Sequence, residues 1–157
     1  SGGVADMQTA SGAADQTPDA PSRTKFTEAL VARYTRKMPE GSDLATLLPT
    51  KVGPFSRPSN AAQGDIATDP VSATYSGDAD VVTVTLDACW DADEARDKQQ
   101  RRQSKLENSK SAQDHSWSVG VNSQGVVFIW TRAHYCYEIV SPRGVPALTR
   151  FLADFPY

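Results

Sequence analysis

The sequence predicts an α+β domain, with an antiparallel sheet of about five or six strands and helices mainly on one face. Three observations lead there. Two adjoining runs alternate apolar and polar residues at period two: Val71, Ala73 and Tyr75 against Ser72, Thr74 and Ser76, then Val82, Val84 and Leu86 against Thr83 and Thr85. Further runs of β-branched and aromatic residues follow between Trp117 and Ser141, separated by turn residues. Between and after these sets lie two stretches with helix signals, Asp91 to Ser109 and Gly144 to Tyr157.

The 157 residues suit one domain of ordinary size, with 39% hydrophobic and 22% charged residues. A net charge of −3 argues against general nucleic-acid binding, which needs a concentrated basic face. No apolar run approaches the ~20 residues of a membrane-spanning helix. Residues 1–22 are rich in Ser, Gly, Ala, Thr, Asp and Pro, and Asp6, Asp15 and Asp19 are their only charged side chains. Such a segment buries too little to offset the entropy of ordering, so a flexible tether is expected there. Its opening, Ser1-Gly2-Gly3, fits residues left after removal of an N-terminal membrane anchor, and equally a cloning scar or a plain soluble terminus.

Residues 23–157 are expected to form the single α+β domain. Over 23–40, Phe26, Leu30 and Tyr34, with Ala29 and Met38 beside them, recur at helical spacing until Pro39-Glu40-Gly41. The polar face of this helix carries Lys25, Arg33, Arg36 and Lys37, which suits solvent or an anionic membrane. The sheet, a long polar helix and a closing helix are expected over 47–157. Leu47 to Ser59, dense in Pro and Gly, reads as an entry loop and a short edge strand.

The runs from Val71 and Val82 form a hairpin about Gly77-Asp78-Ala79-Asp80, apolar on one side and polar on the other. Asp91 caps the helix that follows, Glu94 completes a capping box, and Arg101, Arg102, Lys105 and Lys110 gather towards its end. Trp117, Val119 and Val121 then alternate with Ser116, Ser118 and Gly120, Asn122 to Gly125 turn the chain, and Val126 to Thr131 read as a central strand. In the closing helix, Pro146 stands in the first turn and Val145, Leu148, Leu152 and Phe155 share a face.

Cys89 has the parity of Thr83, Thr85 and Asp87, while Cys136 lies with Glu138, opposite Tyr135, Tyr137 and Ile139. Both sulfurs therefore project from the less apolar face, and a Cys89–Cys136 disulfide is expected if their strands are adjacent and the compartment is oxidising. Reduced structural thiols are one alternative. A zinc or catalytic site built from Cys89, His115, His134 and Cys136 is another, although these spacings lack a close-ligand knuckle. His134 falls in the turn Arg132 to His134, and side chains two apart on a strand stand roughly 6.5–7 Å apart, too far for a Cys–His nucleophile pair. Asp91-Ala92-Asp93-Glu94 lacks the later glycine and glutamate of a calcium loop. No cofactor is expected.

The segments LLPTKVGPFSR from Leu47, FIWTR from Phe128 and FLADFPY from Phe151 resemble a group of uncharacterised bacterial envelope domains. Those are tethered outside the inner membrane by a lipid or a transmembrane helix. The resemblance covers about Leu47 to Tyr157 and its motifs are structural. It implies an exported, extracytoplasmic α+β domain and supplies no catalytic residues. The order of elements is also similar to the PsbP-type sandwich, which often serves as a binding or assembly module. The leading expectation is a non-enzymatic binding domain for a protein or a small apolar ligand, with Trp90, Trp117, Trp130, Tyr135 and Tyr137 as contact aromatics. The competing classes are the zinc or catalytic protein described above and an immunity-type inhibitor of a secreted toxin.

Overall fold

A computed structural model of the chain describes residues 36–60, 63–113 and 116–157. The tether expected over 1–22 lies outside them, as does most of the helix expected over 23–40, and Arg36 to Glu40 are not helical. Among the described residues there are eight strands: β1 (Lys51–Val52), β2 (Phe55–Ser56), β3 (Val71–Gly77), β4 (Asp80–Ala88), β5 (Glu107–Ser111), β6 (Trp117–Asn122), β7 (Gly125–Arg132) and β8 (Tyr135–Ser141). They form one sheet in the order β1-β2-β3-β4-β8-β7-β6-β5, every neighbouring pair antiparallel. Three helices accompany it: α1 (Leu44–Leu47), α2 (Ala92–Gln103) and α3 (Val145–Asp154).

The expected hairpins form where the turn residues require them. Asp78 and Ala79 both take left-handed φ (+52° and +63°), the conformation of a two-residue turn whose twist matches the flanking strands. Gly77 beside them is packed against the backbone of Pro54 and Phe55, where a Cβ would clash. Between β7 and β8 the turn is Ala133-His134, with Ala133 at φ +52°.

Two expectations are corrected. The sheet has eight strands rather than five or six. The Pro- and Gly-rich entry segment makes a hairpin of two short strands, β1 and β2, and the polar helix stops at Gln103, leaving Glu107–Ser111 to form edge strand β5. The helices also occupy both faces rather than mainly one. The chain must pass from β4, in the middle of the sheet, to β5 at its far edge, and α2 makes that crossing over β8, β7 and β6. α3 packs on the opposite face, where Phe151 meets Tyr75 at 4.9 Å between ring centroids and Phe155 meets Tyr137 at 5.4 Å.

The α3 face holds the main core. Val71, Ala73 and Tyr75 of β3, Val82, Val84 and Leu86 of β4, Phe128 and Trp130 of β7, and Tyr137 and Ile139 of β8 are all buried. Four tyrosine hydroxyls tie this core to one segment of backbone: Tyr135 donates to Gly41 O, Tyr157 to Thr46 O, Tyr137 to Leu47 O and Tyr75 to Pro49 O, at 2.6–3.1 Å. Each phenol thus enters the core with its polar atom partnered. Arg57, also buried, donates through Nε to Leu48 O at 2.8 Å and closes α1 against β2.

The α2 face is covered differently. Ala95 packs with Cys89, Val127, Ile129 and Cys136, and Leu106 and Val140 border them. At Gly120 an added Cβ would stand 2.8 Å from Leu106 Cβ, so the absence of a side chain admits the chain leaving α2. On β6 the parity that looks solvent-facing, Ser116, Ser118 and Gly120, is therefore the buried one, whereas Trp117, Val119 and Val121 are half-buried. Beyond the reach of α2, β3 and β4 leave Ser72 and Thr74 exposed, bonded to Thr85 and Thr83 across the strands.

Candidate functional site

The residues of chemical interest gather where β4 ends and α2 begins. Asp91 caps α2 by accepting from Glu94 N at 2.8 Å, and the Glu94 carboxylate turns back to accept from Trp90 N. This reciprocal cap fixes the corner between strand and helix. It leaves the Trp90 side chain outside, 90% exposed, among the exposed acids Asp91, Asp93, Glu94 and Asp97. Large aromatics are rarely left so open, because burying one is worth a few kcal/mol (about 1.5–3 for Phe).

One turn further along, α2 is fastened by charge. The Asp87 carboxylate, buried on β4, accepts from Arg102 at 2.5 Å and Lys98 at 3.3 Å, and Arg102 also approaches Glu138 of β8 at 3.8 Å. Burial alone would lower the Arg102 pKa, but Asp87, helped by Cys136 and Glu138, raises it on balance, so the guanidinium remains charged. Next to this network Gln99 donates to Ser118 Oγ at 2.7 Å, and Ser118 donates to Gln103 Oε1 at 3.0 Å. The carboxylate is fully engaged by two cations and serves as an anchor for the helix.

Cys89 and Cys136 lie on the face beneath α2. Asp87 stands directly across from Cys136 in the β4–β8 ladder, and Cys89 N donates to His134 O at 2.8 Å, continuing the ladder past Ala88. The two residues are thus diagonal neighbours on adjacent strands with side chains on one face, in the form of free thiols. Burial pushes the Cys136 thiol up to about 12 and also raises Cys89. Both are protonated near neutral pH, which makes them poor nucleophiles and poor metal ligands as they stand. The His134 ring packs on Tyr135 with centroids 4.1 Å apart. His115 lies outside the described residues, and among those described no three His, Cys, Asp or Glu side chains are grouped to hold a metal ion.

The five aromatics read from the sequence separate into different roles. Trp130, Tyr135 and Tyr137 are core residues on the α3 face. Trp130 stacks between Phe128 and Tyr137, 5.1 Å from each. Trp117 is half-buried at the end of that row, 6.4 Å from Phe128, and Trp90 alone of the five is fully open. Sequence reasoning did not foresee the anchor formed by Asp87, Lys98 and Arg102. Its signal was an acid ending an alternating strand, followed by two cations four residues apart on a helix, hence on one helical side.

Comparison of the chain with protein-family models, curated proteins and solved structures gives no match.

Proposed function

We propose that the chain is a non-enzymatic, extracytoplasmic interaction domain that engages a protein partner through the corner carrying Trp90. The observation that carries this reading is the exposure of Trp90 beside a doubly capped, rigid helix start. With the backbone at Trp90 already bonded, binding has only the two side-chain torsions of the indole to order, and the ring contributes large contact area, as interface anchors do. A small apolar ligand is less well supported, because Trp130, Tyr135 and Tyr137 are already packed against their neighbours. The protonated thiols and the doubly paired Asp87 favour binding over catalysis. The extracytoplasmic assignment rests on the composition of residues 1–22 and on the resemblance to envelope domains.

Site-specific photo-crosslinking in the native cells tests the reading. A photoreactive residue at position 90 should give one discrete protein adduct, and the same residue at exposed Asn122 should not. Equal or absent labelling at the two positions would overturn it.

A further inference from the structure

We infer that Cys89 and Cys136 are an oxidisable pair that closes to a disulfide during folding, before α2 settles over them. Asp87 faces Cys136, so Cys89 is two residues along on the neighbouring strand, with its side chain on the same face and in the same buried cluster. Diagonal neighbours in an antiparallel pair lie about 7–8 Å apart. A disulfide spans Cα separations up to about 6.8 Å, so closure asks for a backbone shift of about an ångström. That shift is easier at the Cys89 end before α2 and its cap have formed, when the ladder bond from Cys89 N to His134 O is what has to give. β4 ends at Ala88, and the residue across from Cys89 is His134, in the two-residue turn. Cys136, by contrast, is held inside β8 between β4 and β7.

The order of events follows from the cover. With α2 in place Cys136 has no exposure and Cys89 only 8%, so an incoming disulfide cannot line up with either sulfur. The helix itself buries only Ala95 and Gln99, and Gln99 Oε1 is left without a hydrogen-bond partner among the described residues. Its attachment depends on Asp87, which needs β4 and the helix to be formed already. While α2 is undocked both thiols are open.

The oxidant is a disulfide of the glutathione class or a thiol–disulfide exchange catalyst. The Cys89 thiolate attacks its S–S bond, expelling one thiol and leaving a mixed disulfide. The Cys136 thiolate then attacks the Cys89 sulfur, forming the Cys89–Cys136 bond and expelling the second thiol. The protein gives up two protons and two electrons, and the oxidant is reduced to two thiols. Nothing in this depends on what Trp90 contacts, so the two proposals fail separately.

The full chain, denatured and reduced, is refolded in oxidised and reduced glutathione, then alkylated and weighed intact. The expected product is lighter by two hydrogens than the reduced chain and takes no alkyl group until reductant is added. Folded protein prepared in the reduced form should oxidise at least tenfold more slowly in the same buffer, and Asp87→Asn, which weakens the hold on α2, should recover most of that rate. In Cys136→Ala the reaction should stop with glutathione attached at Cys89. Recovery of folded wild-type protein with two alkylatable thiols overturns the pairing. Equal oxidation rates for folded and refolding wild type overturn the order of events.

Discussion

On one side of the sheet Phe151 of α3 and Phe155 just after it meet Tyr75, Trp130 and Tyr137 edge to face, and the phenols beneath end on backbone carbonyls. On the other, α2 offers Ala95 and Gln99 to a floor of thiols, Val127, Ile129 and Ser118, and relies on Asp87 for its grip. The same strands serve both. The difference teaches that period-two alternation tells which face is apolar without telling which is covered. A face of small and polar residues can be buried as completely as an aromatic one when a polar helix brings its own partners. The aromatic side draws on buried area, which salt screening leaves untouched. The α2 side draws on pairing, which it weakens.

Alkali should give the largest effect, since it attacks both sides. Burial pushes Cys136 from its ordinary 9 to about 12, with nearby Arg102 opposing the shift and Asp87, Cys89 and Glu138 adding to it. It also pushes Tyr75 from 10 to about 12, partly opposed by Arg57. In each case the folded state keeps a proton that the unfolded state loses. The associated stability is intact below the unfolded value and is lost as pH rises through the folded one, amounting to several kcal/mol in total by about pH 12. Denaturant titrations of the reduced protein should show this loss. Cys136→Ala should reduce the part beginning near pH 9, to which buried Cys89 also contributes, and Tyr75→Phe should reduce the part beginning near pH 10, which it shares with Tyr137, Tyr135 and Tyr157.

At neutral pH, Phe151→Ala should cost about 3–5 kcal/mol by the same titration, because it opens the aromatic side at its centre. Asp87→Ala should cost less, about 1–3 kcal/mol, since Lys98 and Arg102 retain some access to water. It should also sharpen the contrast. Hydrogen exchange should accelerate along α2 and stay unchanged along α3, and equal acceleration in both helices would show that the sides are not separable. Trp90→Ala should change stability by no more than about 0.5 kcal/mol, as expected of a side chain left 90% exposed.

The aromatic side could be read from the sequence. The β3–β4 alternation, the Asp91 cap and the apolar face of α3 follow from local pattern, and the turn read as Arg132 to His134 narrows to Ala133-His134, with Arg132 still in β7. What could not be read was set by non-local contact. β1 and β2 have two residues each, too few for any periodicity, and β5, Glu107–Ser111, has no apolar residue at all. It is a strand because β6 is beside it. The side taken by α2 depends on where the chain must arrive, at the far edge, and no property of the helix itself records that. Within the candidate site, the capping signal located the corner at Trp90. The pairing of Asp87 was hidden at Lys98 because that cation also has an acid, Glu94, four residues earlier on its own helix; at Arg102, which has Lys98 in that place, the partner lies on a distant strand that local pattern does not reach.

The row of tyrosine hydroxyls on Gly41, Thr46, Leu47 and Pro49 has a mechanical consequence. The chain enters the described domain at Arg36, whose guanidinium grips Ala153 O and Phe155 O and whose own carbonyl accepts from Arg132. A pull on the residues before it would therefore be taken up at once by the end of α3 and the end of β7. Behind that first fastening stand four phenolic hydrogen bonds spread along nine residues of backbone, from Gly41 to Pro49. Tension would be shared among them and led into β3, β8 and the C-terminal residue Tyr157, leaving α2 and the corner at Trp90, on the opposite side, outside the line of force.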